Sequence, residues 1–252
     1  MRNILVIAQN TFREAIRDRI LYGIVVFGTL YILFTIFLAK LSLGDLVMIR
    51  SFGLAGIYLF GLLATIFLGS SIIYKEIERR TLYFILSKPV SRTDVILGKF
   101  IGLFGAICFT TLLMTLIYLG VIAYEGGGFD GLGLMAIGFE LLEMATFTAL
   151  LIFLSSIIAP LLATMCAVIL VFIGHLLNTL IANTERIGGV THLVAQGMYY
   201  LLPNLEKFNL RNLVVHNFGP GWPETGTVVL YAALYVGLLL YAAVLCFERR
   251  EF

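Results

Sequence analysis

The chain has 252 residues, 60% of them hydrophobic and only 13% charged, with a formal net charge of +2. Soluble domains carry roughly 45–50% apolar residues and about 25% charge, so a mean hydropathy of +1.01 excludes a soluble globular protein and marks an integral membrane one. A net charge this small argues against a nucleic-acid partner and leaves the placement of charge as the informative quantity.

Residues 1–19 carry Leu5, Ala8, Phe12, Ala15 and Ile16 at spacings of three and four, with Gln9, Arg13, Glu14, Arg17 and Asp18 on the other face. This predicts an amphipathic helix lying at the membrane surface, its arginines suited to anionic lipid. The apolar run behind it is too long for the core of a cleavable signal peptide. About 20 predominantly apolar residues cross a bilayer, and six stretches qualify: 20–39, 52–74, 100–123, 134–156, 161–182 and 227–247. The fold class expected is therefore all-α integral membrane, a single transmembrane domain over 1–252. The fourth and fifth spans should form a tight hairpin closed at Ser155, Ser156 and Pro160.

Lysine and arginine counts orient the chain. One side gathers Arg2, Arg13, Arg17 and Arg19, then Lys75, Arg79, Arg80, Lys88, Arg92 and Lys99, then Arg249 and Arg250. The other has Lys40, Arg50, Arg186, Lys207 and Arg211 over more residues. Both termini and the loop at 75–99 are expected in the cytoplasm. Gly98, Gly102 and Ala106, and likewise Gly61, Thr65 and Gly69, are small residues spaced by four that let helix backbones approach. The long segment 183–226 is too apolar for a solvated loop; one or two short helices should lie at, or dip into, the outer leaflet, with Trp222 near the headgroups.

The loop at 75–99 has internal order beyond what a positive anchor needs. Residues 75–86 can form a short helix stopped by Pro89, and Ser91 with Asp94 gives the Ser-x-x-Asp start of a second. The run E-I-E-R-R-T-L-Y-F-I-L-S-K-P-V-S-R-T-D-V-I-L-G-K-F, residues 76–100, resembles the first cytoplasmic loop of the type-2 (ABC2) ABC exporter permeases. Glu76, Thr81, Leu82, Pro89, Ser91, Arg92, Gly98 and Lys99 carry the likeness, while Arg80 stands where a glycine is common. The whole layout, with its surface helix, six spans and long outer segment, is also similar to the permease of the nitrous-oxide-reductase maturation system, a branch of that family.

The resemblance implies a non-catalytic subunit, exporter-like, in a bacterial or archaeal cytoplasmic membrane. It implies a second permease copy or a related permease, and two separate ABC ATPase subunits that bind ATP and magnesium. The coupling helix before Pro89 would seat in the ATPase. Glu76, Glu78, Arg79, Arg80, Thr81, Leu82, Ser91 and Arg92 are the expected contact surface. No G-x-x-x-x-G-K-[ST] phosphate loop occurs in the chain, so the nucleotide chemistry must belong to a partner.

A second constellation lies inside the spans. Glu140 and Glu143 share a helix face, and intramembrane charges are rare and turn to the bundle interior. At about 1.5 Å per residue, Glu143 should be level with His175 across the hairpin and Glu140 level with Asn178. The expectation is that these four meet, as an interhelical clamp or as the lining of a substrate or gating path. An intramembrane enzyme or a proton-coupled carrier built on Glu140, Glu143 and His175 is the alternative. The three histidines and seven methionines show no ligand spacing, and Cys108, Cys166 and Cys246 fall singly in apolar runs, so no metal, cofactor or disulfide is expected in this chain.

Overall fold

The computed structural model describes residues 2–41, 46–78 and 91–248, and every regular element among them is helical. The elements are α1 (Arg2–Ile16), α2 (Arg19–Leu41), α3 (Leu46–Glu78), α4 (Arg92–Tyr124), α5 (Gly131–Ile157), α6 (Pro160–Ile187), α7 (Gly189–Leu201), a 3₁₀ turn (Leu205–Phe208), α8 (Arg211–Val215) and α9 (Trp222–Glu248). Six of them, α2 to α6 and α9, are long and apolar enough to span a membrane. The protein is therefore a multi-pass membrane protein.

Local chemistry sets most of the helix starts. Asp18 turns the chain between α1 and α2, its Oδ1 accepting the Ile20 N–H at 3.0 Å. Ser91, extended at φ −70° and ψ 148°, accepts the Asp94 N–H at 3.1 Å and opens α4. Asp130 does the same for α5 through the Gly133 N–H at 3.0 Å. Pro160 occupies the first turn of α6, where its missing N–H costs nothing. Between α6 and α7 the chain bends at Gly188 and Gly189, whose φ angles of 66° and 69° suit glycine.

Two expectations change. The helix opened by Ser91 is not a separate short element: it runs unbroken into the third span, because no proline lies between Arg92 and Tyr124 and its isolated glycines, Gly98, Gly102, Gly105 and Gly120, are tolerated. At the other end of the loop, α3 carries straight on from the second span to Glu78, so the helix expected from Lys75 begins as a continuation of that span. The remainder of that predicted helix, with Pro89, lies outside the described residues.

The small-residue face of α4 also has a different partner from another span. A Cβ on Gly98 would sit 2.7 Å from Ile7 Cβ, and one on Gly102 would sit 2.5 Å from the Ala8 carbonyl oxygen. The surface helix α1 thus lies backbone-close on α4, burying Ala8, Thr11 and Ala15 and leaving Leu5 and Val6 exposed beside its arginines. Of the second set, Thr65 faces α5 through Met144, and a Cβ on Gly69 would run into Leu151.

Helix α5 is the most buried span and forms the centre of the bundle. One core cluster joins Leu103, Ile107, Phe147 and Leu151 to Phe208 and to Ala243 of α9. A second joins Ile49, Ile57, Tyr118 and Ile137 to Leu210 and Val214. Phe208 and Val214 are fully buried. Of the two expected arrangements, at the surface or dipping inward, the 3₁₀ turn and α8 pack inward against the bundle, here termed the re-entrant segment, whereas α7 before them buries only Ala195. Irregular backbone survives at this depth only where protein covers it. Gly174 makes the cover possible: a side chain there would meet the Pro203 carbonyl oxygen at 2.8 Å and Leu205 at 2.9 Å. Around the same end of the bundle Tyr124, Phe129, Tyr200, Phe218 and Trp222 are strongly exposed, as in an interfacial aromatic belt.

Candidate functional site: a polar cluster in the bundle core

Glu143 sits about 20 Å from either end of α5 at 1.5 Å per residue, and it is 1% exposed. Its Oε1 accepts the Tyr58 hydroxyl at 2.8 Å and lies 2.8 Å from His175 Nε2, so α3, α5 and α6 meet at one oxygen. The Tyr58 hydroxyl is also 2.9 Å from the same ring nitrogen. The other His175 nitrogen, Nδ1, lies 3.1 Å from Glu206 Oε2 on the 3₁₀ turn. An imidazole between two carboxylates donates to both only in its doubly protonated form.

Glu140, one turn away, is 4% exposed and does not reach Asn178. Its partner is Arg211, whose Nε lies 3.7 Å from Oε1, and neither carboxylate oxygen accepts a hydrogen bond among the described residues. The same guanidinium lies over the Tyr58 ring at 3.9 Å from its centroid and donates from Nε to Asn209 Oδ1 at 3.2 Å. Asn209 Nδ2 donates in turn to Glu206 Oε1 at 3.1 Å. The contacts close a ring through Arg211, Asn209, Glu206, His175, Glu143 and Tyr58, with Glu140 attached to it at Arg211.

Of the four residues expected to meet, Glu143 and His175 are together. Asn178 is elsewhere: its Oδ1 accepts from Asn204 Nδ2 at 2.7 Å. Counting residues along the hairpin places Glu140 and Asn178 at similar depth, but each is engaged by a different residue of the segment between α7 and α9, Glu140 by Arg211 and Asn178 by Asn204. Tyr58, Glu206 and Arg211 were not singled out from sequence. For Glu206 and Arg211 a signal lies in residues 203–212, where Leu205, Phe208 and Leu210 alternate with Glu206, Lys207 and Arg211; Tyr58, one aromatic among many in a span, has none.

A second polar group holds the far end of the segment. Asp130, 2% exposed, accepts the Tyr118 hydroxyl at 2.7 Å and lies 3.4 Å from Arg50 Nε. Arg50 Nη1 donates to Asn217 Oδ1 at 2.7 Å, and Asn217 has a positive φ of 63°. The start of α3, the end of α4, the cap of α5 and the exit of α8 are thereby joined.

Residues 5–252 match the family described as ABC-2 family transporter protein. The chain belongs to that family. No curated protein matches the sequence. ABC-2 membrane proteins are normally non-catalytic transport subunits that partner with ABC ATPase subunits, and six spanning helices suit such a part. The match goes no further than the family; the likeness to the nitrous-oxide-reductase system stays an expectation from the layout.

In this ABC-2 protein the residues expected to face the ATPase are described only in part. Glu76 and Glu78 lie on the last turn of α3 by their backbone, while their side chains, and Arg79, Arg80, Thr81 and Leu82, lie outside the described residues. Ser91 is engaged as the cap of α4. Arg92 is turned toward α9, where its Nη1 donates to the Phe247 carbonyl at 2.6 Å.

Proposed function

We propose that the chain is the permease subunit of an ATP-driven exporter in a bacterial or archaeal cytoplasmic membrane, with both termini in the cytoplasm. It would act as a dimer with two ATPase subunits docked at residues 75–99. The observation that carries this reading is the family match over nearly the whole chain, with the coupling-type motif at 76–100 falling between the second and third spans. Nucleotide binding closes the ATPase pair, and their movement enters through the loop and biases the spans between two states. ATP and magnesium belong to the partner.

The alternatives place the chemistry or the ion coupling at Glu140, Glu143 and His175. The imidazole held between two carboxylates is the observation on their side. Against them, Glu143 and His175 are spent on holding Tyr58 and the re-entrant segment, and Glu140 on Arg211. We therefore read the cluster as a clamp that seats the re-entrant segment. Interhelical polar contacts of this kind contribute roughly 0.6–2 kcal/mol each.

Replacing Arg79, Arg80 and Thr81 together by alanine tests the docking loop. In membranes containing both subunits, ATP hydrolysis should no longer respond to the permease and transport should fall at least about tenfold, the loss of roughly 1.4 kcal/mol of coupling, with thermal stability unchanged. Full coupling in that variant would refute docking at this loop.

A further inference from the structure

The last span is bonded at one end to the coupling motif and, further along, to the re-entrant segment. Arg92 occupies the first residue of α4, where a cation meets the positive end of its own helix dipole, a position that favours acids. The local rule is broken for the benefit of α9. Carbonyls in a helix's last turn lack intrahelical donors, and that of Phe247 takes a charge-assisted bond from Arg92 at 2.6 Å. The guanidinium also lies 6.0 Å from the centroid of the Phe247 ring.

Toward the other end of α9, the Tyr231 hydroxyl accepts the backbone N–H of Asn204 at 2.7 Å. The Tyr235 hydroxyl donates to the Leu201 carbonyl at 3.1 Å. The Tyr231 ring also packs on Phe208, centroids 6.2 Å apart, under the Lys207 ammonium at 4.5 Å. These contacts fix the stretch of chain that delivers Glu206 to His175. Between Tyr231 and Phe247 the helix has no break, and it spans about 24 Å at 1.5 Å per residue.

We propose that α9 transmits movement of the coupling motif to the re-entrant segment, with Arg92 as the positioning residue at which it enters and Tyr231 as the one at which it leaves. The proposal rests on the reading that an ATPase acts at residues 75–99. Packing through the core offers other routes, but α9 is distinguished by what its tyrosines hold. Asn204 and Leu201 flank the break between α7 and the 3₁₀ turn, where no continuous helix orders the backbone. A small displacement of α9 therefore alters the seat of Glu206 more readily than it deforms a neighbouring span.

The test introduces Leu213→Cys, a half-exposed reporter on α8, and reads its labelling by a membrane-impermeant maleimide in membranes holding the permease and its ATPase, with and without ATP and vanadate. ATP should change the labelling rate several-fold. Tyr231→Phe should abolish that change with hydrolysis intact, Arg92→Ala should abolish it as well, and Arg92→Lys, which keeps a donor, should restore part of it. An ATP response that persists in either Arg92→Ala or Tyr231→Phe, or that is missing from the parent, overturns the proposal. If no ATPase binds, the coupling reading falls by itself, and transmission is read by hydrogen exchange on the chain alone. Arg92→Ala should then raise exchange at residues 204–210 as well as in the last turn of α9; a rise confined to that turn overturns it.

Discussion

Arg211→Met should destabilise the protein by about 1–3 kcal/mol, the cost of leaving a buried polar group without its partner. The guanidinium is the only group paired with Glu140 among the described residues, and it also covers the Tyr58 ring and bonds Asn209. Its loss leaves a carboxyl group that is 4% exposed with no polar partner among the described residues. The effect should be strongly non-additive. Arg211→Met combined with Glu140→Met should recover most of the loss, because replacing both partners by apolar groups of similar volume is often neutral. Thermal unfolding of the four proteins in one detergent gives the cycle, and a double variant as unstable as the single one would place the destabilisation outside this pair.

Gly174→Val should have the second large effect, and for a steric reason. A Cβ at this position comes within 2.8 Å of the Pro203 carbonyl oxygen and 2.9 Å of Leu205 Cγ. The first neighbour is backbone at the entry to the re-entrant segment and cannot swing aside as a side chain can. Overpacking of this sort costs typically 1–3 kcal/mol, and here the strain acts on the segment that carries Glu206 and Arg211. Hydrogen exchange over residues 203–217 should rise well above that of α5, while the helical content of the spans stays as it was. Exchange rising equally throughout the bundle would show that Gly174 supports the whole fold rather than this segment.

Both predictions concern a region that the sequence showed only in outline. The spans themselves were legible, because lipid demands long apolar helices and their signal is continuous over 20 residues or more. The depth of Glu143 and His175 followed from helical rise alone, since a short hairpin fixes the level of both helices of the pair. The partner of Glu140 did not follow. Facing requires the azimuth of each helix as well as its depth, and a segment distant in sequence took the place across from Glu140. In the same way, Gly98 and Gly102 announced a close approach without saying that α1 would make it. Arg92, read as part of a docking surface because it lies in the motif, uses its guanidinium to hold α9; a motif residue's direction is set by tertiary contacts that spacing does not encode.

As proposed above, this chain transports by borrowing the energy of a separate ATPase through residues 75–99. Extracting it from its native membrane in lipid nanodiscs and measuring the particle's mass and ATP hydrolysis tests that most directly. The particle should hold two permease copies with two ATPase subunits, hydrolysis should disappear when the ATPase is stripped away, and the permease should emerge without ATPase when residues 79–88 are replaced by a glycine-serine linker. A chain that is extracted with no nucleotide-binding partner, yet moves its substrate in response to a proton gradient, would contradict it.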